Sequence, residues 1–134
     1  MNHNISKYNI SMNNNIFIFI PILLFLDFAF LNFQRNMFET QIFVIQKEKI
    51  KMNIPAAIAC YVFLLFGLYY FILKDHRSPL DAMLFGLVIY GVYETTTYAL
   101  LKNWKLQTVL IDTLWGGTLF YLTTYFTYSF AKYV

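Results

Sequence analysis

The stretch "IPAAIACYVFLLFGLYYFIL", Ile54 to Leu73, decides how the chain must be read. It has no charged residue and no polar face recurring at helical period. About 20 mostly apolar residues suffice to cross a bilayer as a helix. A soluble helix would show a polar stripe at the 3.6-residue period. This run is therefore read as a membrane span. A second run, "IFIFIPILLFLDFAFLNF" from Ile16 to Phe33, has the same character, broken by Asp27. It lacks a small-residue cleavage site, so it reads as a retained helix and not as a signal peptide. Pro21 is expected to kink its first half.

Composition supports this reading. The 134 residues are 59% hydrophobic and 13% charged, against about 25% charged in a soluble domain. Two further runs, about 79–101 and 108–130, complete four expected spans. The expected fold is all-α, an integral membrane four-helix bundle with short loops. The asparagine-rich segment 1–15 is expected to be a polar, disordered tail ahead of a transmembrane domain covering 16–134.

The connections carry their own signals. Segment 34–53 is long and mixed, with Phe38, Ile42 and Ile45 on one helical face, which predicts a short interfacial helix. Ser78, Pro79 and Asp81 have the spacing of a helix N-terminus: cap, first-position proline and acid. The tight "LKNWK" turn makes the last two runs an antiparallel hairpin, and its Trp104 reads as an interface anchor. Arg35, Lys47, Lys49, Lys51, Lys102 and Lys105 fall on one side, and Lys7, Lys74, Arg77 and Lys132 on the other. That balance favours loops 34–53 and 102–107 in the cytoplasm.

Asp27, Glu94 and Asp112 remain inside the spans. At 1.5 Å per residue they lie about 9, 10 and 6 Å from boundaries on the same side of the membrane. Up-down topology alone puts them in one layer. Exposure of an acid to lipid costs a few kcal/mol on insertion scales, so the acids should face inward. Close carboxylates in a poorly hydrated layer resist double ionisation, so the set is expected to share a proton or a cation. Tyr93, Thr96 and Thr97 are expected to join them, with Trp115 and Gly116 at a close helix contact. These eight residues are the candidate polar cluster.

Other chemistry finds no support. The single cysteine, Cys60, forms no intrachain disulfide, and His3 and His76 have no metal spacing. No cofactor or metal is expected. There is no Ser/His/Asp set and no His-rich di-metal pattern, which argues against an enzyme. The net charge of +3 is spread between apolar runs, so no nucleic-acid partner is expected. The expected partners are the lipid bilayer, a second copy of the chain, or other membrane proteins. Two functions compete: a non-catalytic structural or assembly component, and a small proton- or cation-coupled carrier or channel that uses the acids.

The segments Tyr93–Thr97, Leu101–Lys105 and Ile111–Gly116 together resemble the hallmark region of a family of small membrane proteins, domain of unknown function 2177. That family's pattern reads Tyr-Asp-x-Thr-Asn, Leu-Lys-Gly-Trp-Pro and Val-Asp-x-x-Trp-Gly. "LDFAFLN" in the first run is similar to its leucine-aspartate opening, with Asp27 in place. Here Glu94 replaces the usual aspartate, and Thr97 replaces an asparagine and loses its amide donor. The resemblance implies a four-helix membrane protein and supplies no activity. The family's members come from bacteria, large DNA viruses and some algae. Abundant Asn, Ile, Lys, Phe and Tyr fit an AT-rich genome, and with it a giant-virus or protist source and a host or virion membrane.

Overall fold

The structure is a computed structural model and describes residues 16–131. The expected tail, 1–15, lies outside the described residues. Among these the chain forms five α-helices and no strand. Helix α1 is Phe19–Phe33, entered through a 3-10 turn at Ile16–Ile18. Pro21 stands in the first turn of α1, where a missing N–H is tolerated. The irregular winding lies upstream of it, in the 3-10 turn.

Helix α2, Arg35–Gln46, follows after the single residue Gln34 and stops at Lys47, which is left-handed with φ 60°. Helix α3, Ile54–Leu68, starts at an Asn53 cap whose side chain accepts from the Ala56 N–H at 3.2 Å. It ends in a π-helical turn, Tyr69–Leu73. Helix α4, Pro79–Leu100, opens with the Ser78 hydroxyl accepting from the Asp81 N–H at 3.1 Å. Helix α5 is Leu106–Ala131.

Among the described residues two segments are long and apolar enough to cross a membrane: Ile16–Phe33, with mean hydropathy 2.4, and Ile54–Leu73, with 2.2. Helices α4 and α5 are longer, at 22 and 26 residues. They are diluted by glycine, threonine and acids, and burial explains where these residues go. Helix α4 exposes Leu80, Leu84, Val88 and Val92 and buries Ala82, Gly86 and Glu94. Helix α5 exposes Leu106, Leu110 and Leu114 and buries Thr108, Gly116, Thr123, Thr124 and Thr127. On both helices an aliphatic stripe is exposed while Glu94 and four threonines of α5 are buried; Thr95, Thr96 and Thr118 are exposed. A water-facing surface would reverse that order.

The α4–α5 hairpin is held by close backbone approach. A Cβ on Gly86 would lie 2.3 Å from the Gly116 carbonyl oxygen. A Cβ on Gly116 would lie 2.2 Å from Tyr90 Cγ. Glycine is therefore required at both positions, as in close-packed membrane helices. The apolar core collects Phe19 and Leu23 of α1, Leu64 and Leu68 of α3, Ala82 of α4, and Leu119 and Phe120 of α5. It fills the half of the molecule next to the α3–α4 connection. The other half contains the acids.

Candidate functional site

Asp27 falls on the inner side of α1 because it is one turn beyond the buried Leu23. It is 6% exposed. Its Oδ2 accepts the Tyr61 hydroxyl of α3 at 2.5 Å, and its Oδ1 accepts the Trp115 indole N–H of α5 at 3.0 Å. One carboxyl thus joins three helices. The Trp115 ring stacks on Phe30 of α1, with centroids 4.4 Å apart and planes within 9°. That stack fixes the indole so that its N–H points at Asp27.

Glu94 is 1% exposed. Two helical turns separate it from Gly86, with Tyr90 between, so all three follow the inner face of α4. Its Oε2 accepts the Trp104 indole N–H at 2.9 Å. The α4–α5 turn, where Asn103 adopts φ 73°, brings that indole back over the end of α4. Asp112 of α5, which is only partly buried, lies beside Glu94. Among the described residues no ion pair joins Lys102 or Lys105 to Asp112; the ion pair present is Arg35–Glu39, at 2.8 Å on the exposed side of α2.

A third buried polar group lies beside the acids. Gln41 of α2 is 3% exposed. Its Oε1 accepts from the Lys105 backbone N–H at 2.7 Å, and its Nε2 donates to the Thr108 hydroxyl at 3.0 Å. Helix α5 has orphan N–H groups at its start, and Gln41 satisfies one of them from another helix. That bond holds the short helix α2 against the hairpin.

The structure thus brings together Asp27, Glu94, Asp112 and Trp115, with Gly116 and Tyr90 packed beneath them. It does not bring in Tyr93 or Thr96. Tyr93 is 61% exposed and Thr96 is also exposed. With Glu94 facing inward, a helix turns its neighbour at −1 by about 100° and that at +2 by about 200°. The Thr97 hydroxyl is used within its own helix, donating to the Tyr93 carbonyl at 2.8 Å.

Reading the sequence missed Tyr61, Gln41, Thr108 and the role of Trp104 as a donor. Gln41 did carry a signal. It is a polar residue on the same helical face as Phe38 and Ile45, where an amide needs a buried partner. Tyr61 carried none, because a tyrosine in an apolar run looks like any other aromatic. Among the described residues no group of three or more His, Cys, Asp or Glu side chains could hold a metal ion.

In comparison with known proteins, a family model described as predicted membrane protein, domain of unknown function 2177, matches residues 13–129. No curated protein and no solved structure matches the chain.

Proposed function

The chain belongs to this family of predicted membrane proteins, and from that premise we propose that α1, α3, α4 and α5 all cross the bilayer in a non-catalytic structural or assembly component. Helix α2 lies along the surface. The inverted pattern of α4 and α5 supports the spanning reading: leucine and valine face outward, Glu94 and four threonines of α5 inward. The observation that carries the structural role is Asp27, whose two oxygens each accept a donor from a different helix. An acid occupied in this way ties helices together. Loops 34–53 and 102–107 then face the cytoplasm, and the partners are lipid, a second copy, or other proteins of a cellular or virion membrane.

Topology is tested by cysteine labelling in a background with Cys60 removed. Cysteines at Lys49 and Asn103 should label from one side and a cysteine at Asp75 from the other. Labelling of Lys49 and Asn103 from opposite sides would overturn the four-span reading. The structural role is tested by purification in mild detergent, where a stable partner or oligomer is expected.

The placement of Asp112 beside Glu94 favours a second reading, a small proton or cation carrier. A carrier would show flux in liposomes that Glu94→Gln and Asp112→Asn abolish. A structural component would show no such flux.

A further inference from the structure

At the end of the molecule away from the acids, an open groove of about 460 Å³ runs between the π-helical turn of α3 and the start of α4. Its wall is apolar, with Phe71, Leu84 and Phe85, and its rim carries Asp75, Arg77 and Asp81. The groove has a local cause. In the π turn the Lys74 N–H bonds the Tyr69 carbonyl, and the Arg77 N–H bonds the Ile72 carbonyl, each at 2.8 Å and five residues back. A π turn widens the helix and recurs at functional sites. The three rim charges also have no partner in one another: among the described residues the ion pair formed is Arg35–Glu39, elsewhere.

We propose that this groove binds a zwitterionic phospholipid whose headgroup ends in a primary ammonium. The inference rests on the four-span reading, which puts the α3–α4 connection at the bilayer surface. The rim offers both signs to such a headgroup: Asp75 and Asp81 against Arg77, with Lys74 held beside them over Tyr70. Arg77 offers a planar fork for the phosphate. Asp75 and Asp81 accept the N–H groups of the ammonium. One acyl chain follows Phe71, Leu84 and Phe85 into the membrane. A quaternary ammonium fits less well, since it has no N–H to donate and relies on aromatic faces. The rim tyrosine, Tyr70, already has Lys74 Nζ 4.4 Å from its ring centroid and stacks on Phe66 at 5.7 Å. An anionic lipid brings no counter-charge for the two carboxylates.

The test is native mass spectrometry of the full chain, released from detergent micelles containing equal amounts of dioleoyl phosphatidylethanolamine, phosphatidylcholine and phosphatidylglycerol. Phosphatidylethanolamine should be retained over each of the others by about fivefold, the scale of one charge-assisted hydrogen bond at a partly solvated site. Asp75→Asn, in the exposed connection, should reduce that preference, and Asp75→Asn with Asp81→Asn should abolish it. Arg77→Gln should weaken all three lipids alike. Equal retention of the three lipids, or a preference unchanged in the aspartate variants, overturns the proposal. The cysteine labelling described above is run in parallel on its own single-cysteine variants. Correct labelling without a lipid preference sinks the groove alone, whereas wrong labelling sinks the spanning reading beneath it.

Discussion

Removing the Tyr61 hydroxyl leaves Asp27 Oδ2 without its 2.5 Å donor. A hydrogen bond to a charged group is worth about 1.5–3 kcal/mol in soluble proteins. Hydrogen bonds between membrane helices average about 0.6 and reach about 1.7 kcal/mol, because the unfolded chain in lipid also finds partners. Asp27 is buried and Tyr61 half-buried, so the top of the membrane range applies: Tyr61→Phe should cost about 1.5 kcal/mol. Trp115→Phe loses the 3.0 Å bond and part of the stack on Phe30, and should cost about 2 kcal/mol. Asp27→Leu removes the shared acceptor and strands both donors, for about 3 kcal/mol. The deciding quantity is the coupling. In the Asp27→Leu background Tyr61→Phe should cost almost nothing, so the cycle should return about 1.5 kcal/mol of interaction energy. Reversible unfolding by dodecyl sulfate in mixed lipid–detergent micelles, followed by far-ultraviolet circular dichroism, measures all the variants on one scale. Additive costs, or an Asp27→Leu protein more stable than the parent, would refute the structural account of this acid.

Gly116→Ala should force α4 and α5 apart, because the new Cβ meets the base of the Tyr90 ring. The expected cost is about 2–3 kcal/mol, read as a lower melting temperature in detergent; an unchanged melt would contradict the close approach. Gln41→Leu should free α2 from the start of α5 at a cost of about 1–2 kcal/mol. Hydrogen exchange should then speed up across Arg35–Gln46, while α5 beyond Val109 keeps its protection. The chain has two tryptophans, so indole nitrogen–proton correlation spectra should show two slowly exchanging N–H signals. Asp27→Asn should move the Trp115 signal and Glu94→Gln the Trp104 signal; if either change moved both equally, the two acids would not be bonded separately.

Sequence and structure divide the explanation at identifiable residues. The apolar runs Ile16–Phe33 and Ile54–Leu73, the helical class and the family were legible in the sequence, because run length, composition and motif spacing are local properties. The capping at Ser78 was legible for the same reason: a cap bond spans three residues. The inward orientation of Glu94 followed from the cost of placing an acid against lipid. Tyr93 and Thr96 lie on exposed positions, because a spacing of three to four residues defines a stripe without saying which stripe faces inward.

What only the tertiary structure decided is which donor meets which acceptor. Asp27 finds Tyr61 34 positions away and Trp115 88 positions away. Gln41 finds Thr108 67 positions away. Such pairs depend on the rotation of each helix about its own axis, and that rotation is set where glycines let backbones touch. Gly86 against Gly116 sets the register of α4 on α5, and the Phe30–Trp115 stack then fixes α1 against both. Hydropathy determines that a segment is apolar enough for lipid. The azimuth that turns an acid toward a phenol and an indole comes from packing, since helix rotation changes contacts without changing composition.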